Sequence, residues 1–429
     1  MFSMSIRNPV AFGASAVLAL AFSVTAVSAA ESLIDVPSSV CQTCHKEIYK
    51  QWEGSMHANS VAMKDPIHGT FYKKVIGDPL QAGVTTKDGK FPVCIQCHAP
   101  NAAIQNSTKL DEKPTYSEGV NCVACHTLKR FNGINGPNGK LQLGMLSYER
   151  SSGLQGPAGF PVGLQKLATA TDMFGGAGAG DGGDKPNPHL GEPVTMDGTE
   201  IPALPMEPNA TLMKTNDACM GCHDKRNNSH GVPLCATGNE YMASKSDVTC
   251  QYCHMPMVGN TADHSMGGGH DGGMLKRSVV FTMRAEKAGE TIDVVAKLKN
   301  QQPHALPTGA PFRNIVLKLT AYNANGEPVW ENAPEHPAQD DPQAYFAYLL
   351  ADDAGKDAMP PTATQLGADT RLRPHEERTL SYEIPAKDVA LVRGEVQYNL
   401  LWKVLADKFG HLPEGLRSSR TIAVAEAKI

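Results

Sequence analysis

Two kinds of patterning divide the chain. From about residue 277 to 429, apolar and polar residues alternate with a period of two, the mark of strands with one face toward a core and the other toward water. In TIDVVAKL, Ile292, Val294, Ala296 and Leu298 share a face. In NIVLKLTAY, Ile315, Leu317, Leu319 and Ala321 do the same, and the turn signal NANGEP follows. LSYEIP continues the alternation through Leu380, Tyr382 and Ile384, and VQYNLLWKV through Val396, Tyr398, Leu400 and Trp402. With SVVFTM and TIAVAEA this predicts six or seven strands in about 150 residues. An antiparallel, immunoglobulin-like β-sandwich buries all of their apolar faces at once.

Residues 31–276 keep no such period, and here the pattern predicts short helices joined by irregular loops. The stretch 127–218, with FGGAGAGDGGDKPNPH at its centre, reads as a surface loop inserted between more ordered segments. The first thirty residues stand apart again. Arg7 precedes an apolar run, and small residues at Val27-Ser28-Ala29-Ala30 fit a signal-peptidase site. The run falls short of the ~20 residues that a membrane span needs. The expectation is a signal peptide over 1–30 and an exported mature chain, periplasmic or extracellular, without a membrane span.

Composition sharpens this division. Hydrophobic residues make up 41% of the chain and aromatic residues only 6%, against 40 Gly and 30 Pro. The N-terminal half is therefore short of side chains for a core of its own. The net charge is −5 and no basic stretch is present to neutralise a phosphate track, which excludes nucleic acid as a partner.

Ten of the eleven cysteines fall into five copies of one pattern, C-x-x-C-H: Cys41/Cys44/His45, Cys94/Cys97/His98, Cys122/Cys125/His126, Cys219/Cys222/His223 and Cys250/Cys253/His254. Chance would give one such motif in roughly one chain per hundred of this composition. Two thiols on one helical turn reach the two vinyl groups of a haem and form thioethers, and the histidine that follows supplies a nitrogen to the iron. Zinc ribbons need no histidine after each pair, and five pairs do not divide into four-ligand sets. A dithiol redox site would sit in a βαβ unit, which the pattern lacks. Five covalently bound haem c groups, with His45, His98, His126, His223 and His254 as proximal ligands, are expected to serve as the core of residues 31–276. Cys235 is left over and reads as a small buried hydrophobe.

The spacing of the motifs is uneven. His98 and His126 are 28 residues apart, and His223 and His254 are 31 apart, so sites two and three are expected to form one close pair and sites four and five another. The sixth ligand decides between electron carrier and enzyme, since a haem with imidazole on both sides is closed to small molecules. Candidate distal ligands are His57 in SMHANS, His189 at the end of the glycine-rich stretch and His230 in NNSHGVP. His264 and His270 frame HSMGGGH, where glycines would let the backbone approach a porphyrin, and His304 lies in PHALPTGAPFR. Met56, Met255 and Met266 are the methionine alternatives. His68, His336, His375 and His411 read as ordinary hydrogen-bonded residues, and Tyr49, Trp52 and Tyr252 as packing along haem edges.

CQTCHKEIYKQWEGSMHANS, EGVNCVACHTL and CQYCHMP together resemble the multihaem c-type cytochromes related to the tetrahaem electron carrier of nitrification. DHSMGGGHDGGML followed by HALPTGAPFR is similar to a subset of that family with a C-terminal β-sandwich domain. The resemblance covers most of residues 38–130 and 217–320 and implies ligand or near-haem roles for His57, His264, His270 and His304. Pro303 stands where a glycine is usual. The expected protein is a multihaem cytochrome c with a signal peptide at 1–30, a pentahaem domain at 31–276 and a β-sandwich domain at 277–429. Its expected function is electron transfer through closely spaced, mostly bis-histidine haems to redox partner proteins met through weak, charge-steered contacts. Two alternatives remain open at this point. One is an oxidoreductase acting on a small nitrogen or sulfur oxyanion at one open haem, although no C-x-x-C-K site is present. The other is self-association as a subunit of an extracellular cytochrome filament.

Overall fold

The computed structural model describes residues 33–158 and 187–429; the signal peptide expected at 1–30 and the centre of the glycine-rich stretch lie outside them. Through the N-terminal half the regular elements are short. Helix α1 (Lys46–Glu53) and helix α2 (Pro66–Val75) are 8 and 10 residues long, while the helices that carry the motifs span four to seven. α2 starts where Asp65 accepts hydrogen bonds from the N–H groups of Ile67 and His68, with Pro66 in its first turn.

The described flanks of the stretch 127–218, up to residue 158 and from residue 187, are packed where a surface loop was expected. Leu128–Phe131 pairs antiparallel with Tyr148–Arg150, Leu154–Gly156 runs parallel to Met206–Pro208, and Val194–Met196 pairs with Thr199–Ile201. Its apolar residues close two small clusters. One is Leu128, Met145, Tyr148 and Leu212; the other joins Leu154, Val194, Ile201 and Leu204 to Leu33, Val36 and Val123. The strands are too short and too far apart in sequence to show a period.

Helix α4 (Gly272–Ser278), which follows α3 (Thr237–Ser244), leads directly into the β half. There β1 (Val279–Ala288), β2 (Thr291–Asn300) and β7 (Glu377–Pro385) form a three-stranded antiparallel sheet. The larger sheet has the order β6-β5-β3-β8-β9, with β4 also paired to β3. Its members are β3 (Asn314–Tyr322), β4 (Pro328–Glu331), β5 (Tyr345–Ala351), β6 (Gln365–Asp369), β8 (Leu391–Asn399) and β9 (Arg420–Lys428). The alternating residues on β2, β3, β7 and β8 all point into one continuous core. β4, β5 and β6 have no clear alternation and went unpredicted. VQYNLLWKV is a strand only to Asn399; Leu400 and Leu401 are buried, and Trp402 begins the helix Lys403–Lys408.

The two halves share this core. Ile67 of α2 is part of it, and Phe71 stacks on Phe312 at 5.2 Å and meets Phe409 edge-on at 5.6 Å. Burying such side chains contributes roughly 1.5–3 kcal/mol each, enough to hold α2 on the β half. Among the described residues no helix is long and apolar enough to cross a membrane.

Candidate functional site

Each motif folds as about one helical turn. His45 N–H donates to Cys41 O (2.9 Å) and His98 N–H to Cys94 O (3.0 Å), which places the first cysteine and the histidine on one side of the turn. Side chains cap two of these turns: Asn121 accepts from Ala124 N–H, and Thr249 from Tyr252 N–H. Motif four needs its glycine. A Cβ on Gly221 would lie 2.1 Å from Ser147 Oγ and 2.2 Å from the Tyr148 ring, and the Tyr148 hydroxyl both accepts from Gly221 N–H (2.9 Å) and donates to Asp217 O and Ala218 O.

The ten motif cysteines are all free of disulfides, so both thiols of every turn remain for thioether bonds. The second cysteine is exposed in three motifs, at Cys44, Cys125 and Cys253. The Cys44 Sγ points out of the turn to Met196 Sδ, 3.3 Å away on the strand Val194–Met196, and a thioether at Cys44 would replace that weak S–H contact. The reason is local packing. Motif one sits on a five-residue helix whose one buried residue is Ser38, so protein side chains alone do not cover its second thiol.

The histidines come together in pairs. His189 faces His45 at 6.0 Å between ring centroids, His264 faces His126 at 6.5 Å, and His304 faces His254 at 6.4 Å, with interplanar angles of 29°, 20° and 20°. His57 stands 6.0 Å from His223, with the rings at 76°. An iron held by one nitrogen of each ring at about 2 Å sets the two ring centres roughly 6 Å apart. Four of the five motif imidazoles therefore have a second imidazole at the separation that a hexacoordinate iron needs. Among the described residues no three His, Cys, Asp or Glu side chains cluster to hold a bare metal ion. The donor set fits a haem with two thioether bonds and axial imidazoles and does not fit a zinc site.

Hydrogen bonds fix which nitrogen is free. Nδ1–H donates to a backbone carbonyl in His126 (Gln155 O, 2.8 Å), His254 (Gly267 O, 2.6 Å), His189 (Leu204 O, 2.9 Å), His264 (Ala262 O, 2.8 Å) and His304 (Ala305 O, 3.0 Å). This leaves Nε2 to ligate and orients each ring. Two of the five carbonyls, Gln155 and Leu204, come from the packed flanks of the stretch 127–218. In His57 the Nδ1 lies 2.7 Å from Met266 Sδ, so this methionine abuts a candidate ligand. Desolvation by the surrounding protein lowers the pKa of His57 to about 4 and of His223 to about 3, and it lowers His45, His126, His264 and His304 as well. These rings are neutral at pH 7, with a lone pair available to a metal.

Site two differs. His68, set aside in the sequence reading, lies 3.9 Å from His98, and both Nδ1 atoms bond Ser60 O at 2.9 and 3.0 Å. His68 Nε2 is buried without a hydrogen-bond partner among the described residues. A signal for it existed in Asp65-Pro66, which starts a helix and places His68 in its first turn.

Two distal candidates are placed elsewhere. His230 sits exposed in a turn capped by Asn228 Oδ1, between Arg226–Asn227 and Pro233–Cys235. His270 lies among Arg313, Asp65 and Arg420, and its carbonyl accepts from Arg420. The glycines beside it serve a different approach from the one expected: a Cβ on Gly269 would lie 2.5 Å from Tyr398 Oη, so the backbone passes against the β half. Cys235 is half-buried and lies 3.9 Å from the Thr237 hydroxyl.

The order of sites in space departs from their order in sequence. The Cys41 thiol lies beside that of Cys122, Cys97 beside Cys222, and Cys219 beside Cys250. Site one thus meets site three, and site two meets site four, where the sequence spacing had paired two with three; sites four and five adjoin. Trp52 Nε1–H bonds Val120 O (2.8 Å), which brings α1 to the approach of motif three. Arg226 spans sites two and four, donating to Cys97 Sγ (3.0 Å) and Cys222 O.

The family model described as cytochrome c554 and c-prime matches residues 40–127. A crystal structure of a penta-heme cytochrome c552 from Thermochromatium tepidum is 57% identical, aligns over 92% of this chain and 100% of its own, and superposes with a TM-score of 0.86. A second solved structure, a structural-genomics target, aligns over 34% of this chain and 82% of its own at 10% identity, with a TM-score of 0.15 that bears on nothing. No curated protein sequence matches.

Proposed function

The chain belongs to the family of penta-haem c-type cytochromes, and on that premise we propose how its residues build a path for electrons. It is an electron carrier with five covalently bound haem c groups. Each haem supplies a one-electron iron couple. The residues of the chain fix the ligands, the order of the sites and the exclusion of other chemistry.

We assign His189, His264, His57 and His304 as the second ligands opposite His45, His126, His223 and His254. The observation that carries this assignment is the ring separation of 6.0–6.5 Å at all four sites. His68 is assigned to site two on its unbonded Nε2; to ligate it must release its share of Ser60 O and move out from 3.9 Å. Two imidazoles leave no position for an outside molecule, which favours transfer over chemistry on a substrate. Cys125 lies close to Cys219 and Cys222, so the path links site one to site three and site three to site four, and site four in turn to sites two and five.

Low-temperature electron paramagnetic resonance of the purified holoprotein tests this reading. Low-spin ferric signals accounting for all five haems are expected; a high-spin signal from any one of them would remove the bis-histidine assignment at that site.

The leader pattern at 1–30 supports export to the periplasm or cell surface. Facing antiparallel sheets with one core support an immunoglobulin-like sandwich for the β half. The family match over 40–127 supports kinship with the tetrahaem carrier of nitrification. Redox proteins are the proposed partners, and monodisperse monomers at high concentration would separate this reading from that of a filament subunit.

A further inference from the structure

We propose that Glu240 is a positioning residue for His304: with Arg371 it forms a buried latch that holds the β-half loop at ligating distance from site five. The inference rests on the reading of His304 as the ligand opposite His254. His304 is unlike the other assigned ligands in its origin. It lies on the loop between β2 and β3, in the half that carries no motif, so the fifth site is completed only if that loop is held against the haem-bearing half.

The loop has no regular structure, and its place is set by tethers from both sides. On the β side, Asn300 Nδ2 donates to His304 O (2.8 Å) and to Arg373 O (2.9 Å). Leu306 exchanges two backbone bonds with Leu372 (2.9 and 3.0 Å). From the haem-bearing half comes Glu240, on α3, the helix between motifs four and five. Its Oε2 accepts from Ala305 N–H (3.1 Å) and the Thr308 hydroxyl (2.6 Å), and its Oε1 from Arg371 (2.7 Å). The Thr237 hydroxyl reaches Thr308 as well (2.9 Å). Ala305 is the residue next to His304, so one carboxylate oxygen holds the backbone immediately beside the ligand.

The side chains of Glu240 and Arg371 are 12% and 10% exposed. Arg371 is further held by Asp369 (2.8 Å) and lies over the Tyr348 ring at 4.7 Å. An ion pair this deep adds little net stability, because desolvation offsets most of the attraction. Its directional, charge-assisted bonds do fix relative position. Outer residues of this kind typically alter a ligand's hold on its metal 10–100-fold.

The test uses full-length holoprotein carrying Glu240→Gln, Glu240→Asp, Thr308→Val or His304→Ala, read by low-temperature electron paramagnetic resonance and by cyanide titration. His304→Ala is expected to convert one haem of the five to high spin, with added imidazole restoring low spin. Glu240→Gln should give a partial signal from the same haem and cyanide binding about tenfold tighter there. Thr308→Val should give a smaller effect, and Glu240→Asp should return most of the low-spin state. Wild-type spectra and cyanide binding in Glu240→Gln and Thr308→Val, beside a high-spin His304→Ala, would overturn the latch while leaving the ligand assignment intact. A fully low-spin His304→Ala would overturn both. If Glu240→Gln fails to fold, Thr308→Val decides alone, because it leaves the carboxylate in place and removes only the hydroxyl's bonds to Glu240 (2.6 Å) and Thr237 (2.9 Å).

Discussion

The β half and the haem-bearing half solve the same problem with different material. In the β half, Ile292, Val294, Leu298, Ile315, Leu317, Leu319, Phe346, Val392 and Val396 meet in one core built wholly from side chains. The haem-bearing half divides its apolar residues among small separate clusters, around Val61, Tyr72, Ile95 and Leu110, around Leu33, Val123 and Ile201, and around Leu128, Met145 and Tyr148. The motif turns are spread among these clusters, Cys94 packing against the first of them, and the second cysteine of three motifs is exposed. A protein whose core is largely cofactor does not need long helices or high aromatic content; it needs short, well-anchored turns at fixed places.

The largest test of that contrast is to remove the cofactor. Replacing the motif cysteines with alanine should abolish hydrogen-exchange protection across most of residues 33–276, while β2, β3 and β8 stay protected. Uniform loss in both halves would show that the shared packing of Phe71, Phe312 and Phe409 dominates, and the contrast would fail. A smaller effect is expected from Gly221→Val. The added side chain collides with the Tyr148 ring and Ser147, and a cost of roughly 3 kcal/mol or more is expected, with site four under-loaded in the intact mass. Normal loading with an unchanged melting temperature would show that the turn can shift. Smaller again is Trp52→Phe, which leaves Val120 O without its indole donor. About 1 kcal/mol of destabilisation is expected, seen in denaturant titration of the haem-bearing half with no change in the β half.

The two halves were not equally legible. The strands β2, β3, β7 and β8 could be read because alternation reports local geometry: successive side chains point to opposite faces wherever the strand pairs. β5 could not, since part of its burial depends on neighbours such as Val232 and Ala363 rather than on its own pattern, and β6 could not, since it buries almost nothing. In the haem-bearing half the motifs were legible because two thioether bonds and an iron ligand impose a fixed spacing on contiguous residues. The second imidazoles were not equally so. His57, His189, His264 and His304 were named among six candidates, His230 and His270 were named with them, and His68 was passed over. A histidine in a capped turn and one opposite an iron look alike in sequence; what differs is what stands across from the ring.

From its sequence alone, then, this chain fixes what local chemistry can fix: five attachment turns, the strands that alternate, and the division between a cofactor-filled and a side-chain-filled half. Only the tertiary structure sets site one against site three, packs the described flanks of the stretch 127–218 into short strands, and carries His304 from one half to His254 in the other through Glu240 and Arg371. The reason is distance along the chain. Covalent spacing and strand period act between near neighbours, whereas ligand pairing and the latch join residues whose meeting depends on the path of everything between them.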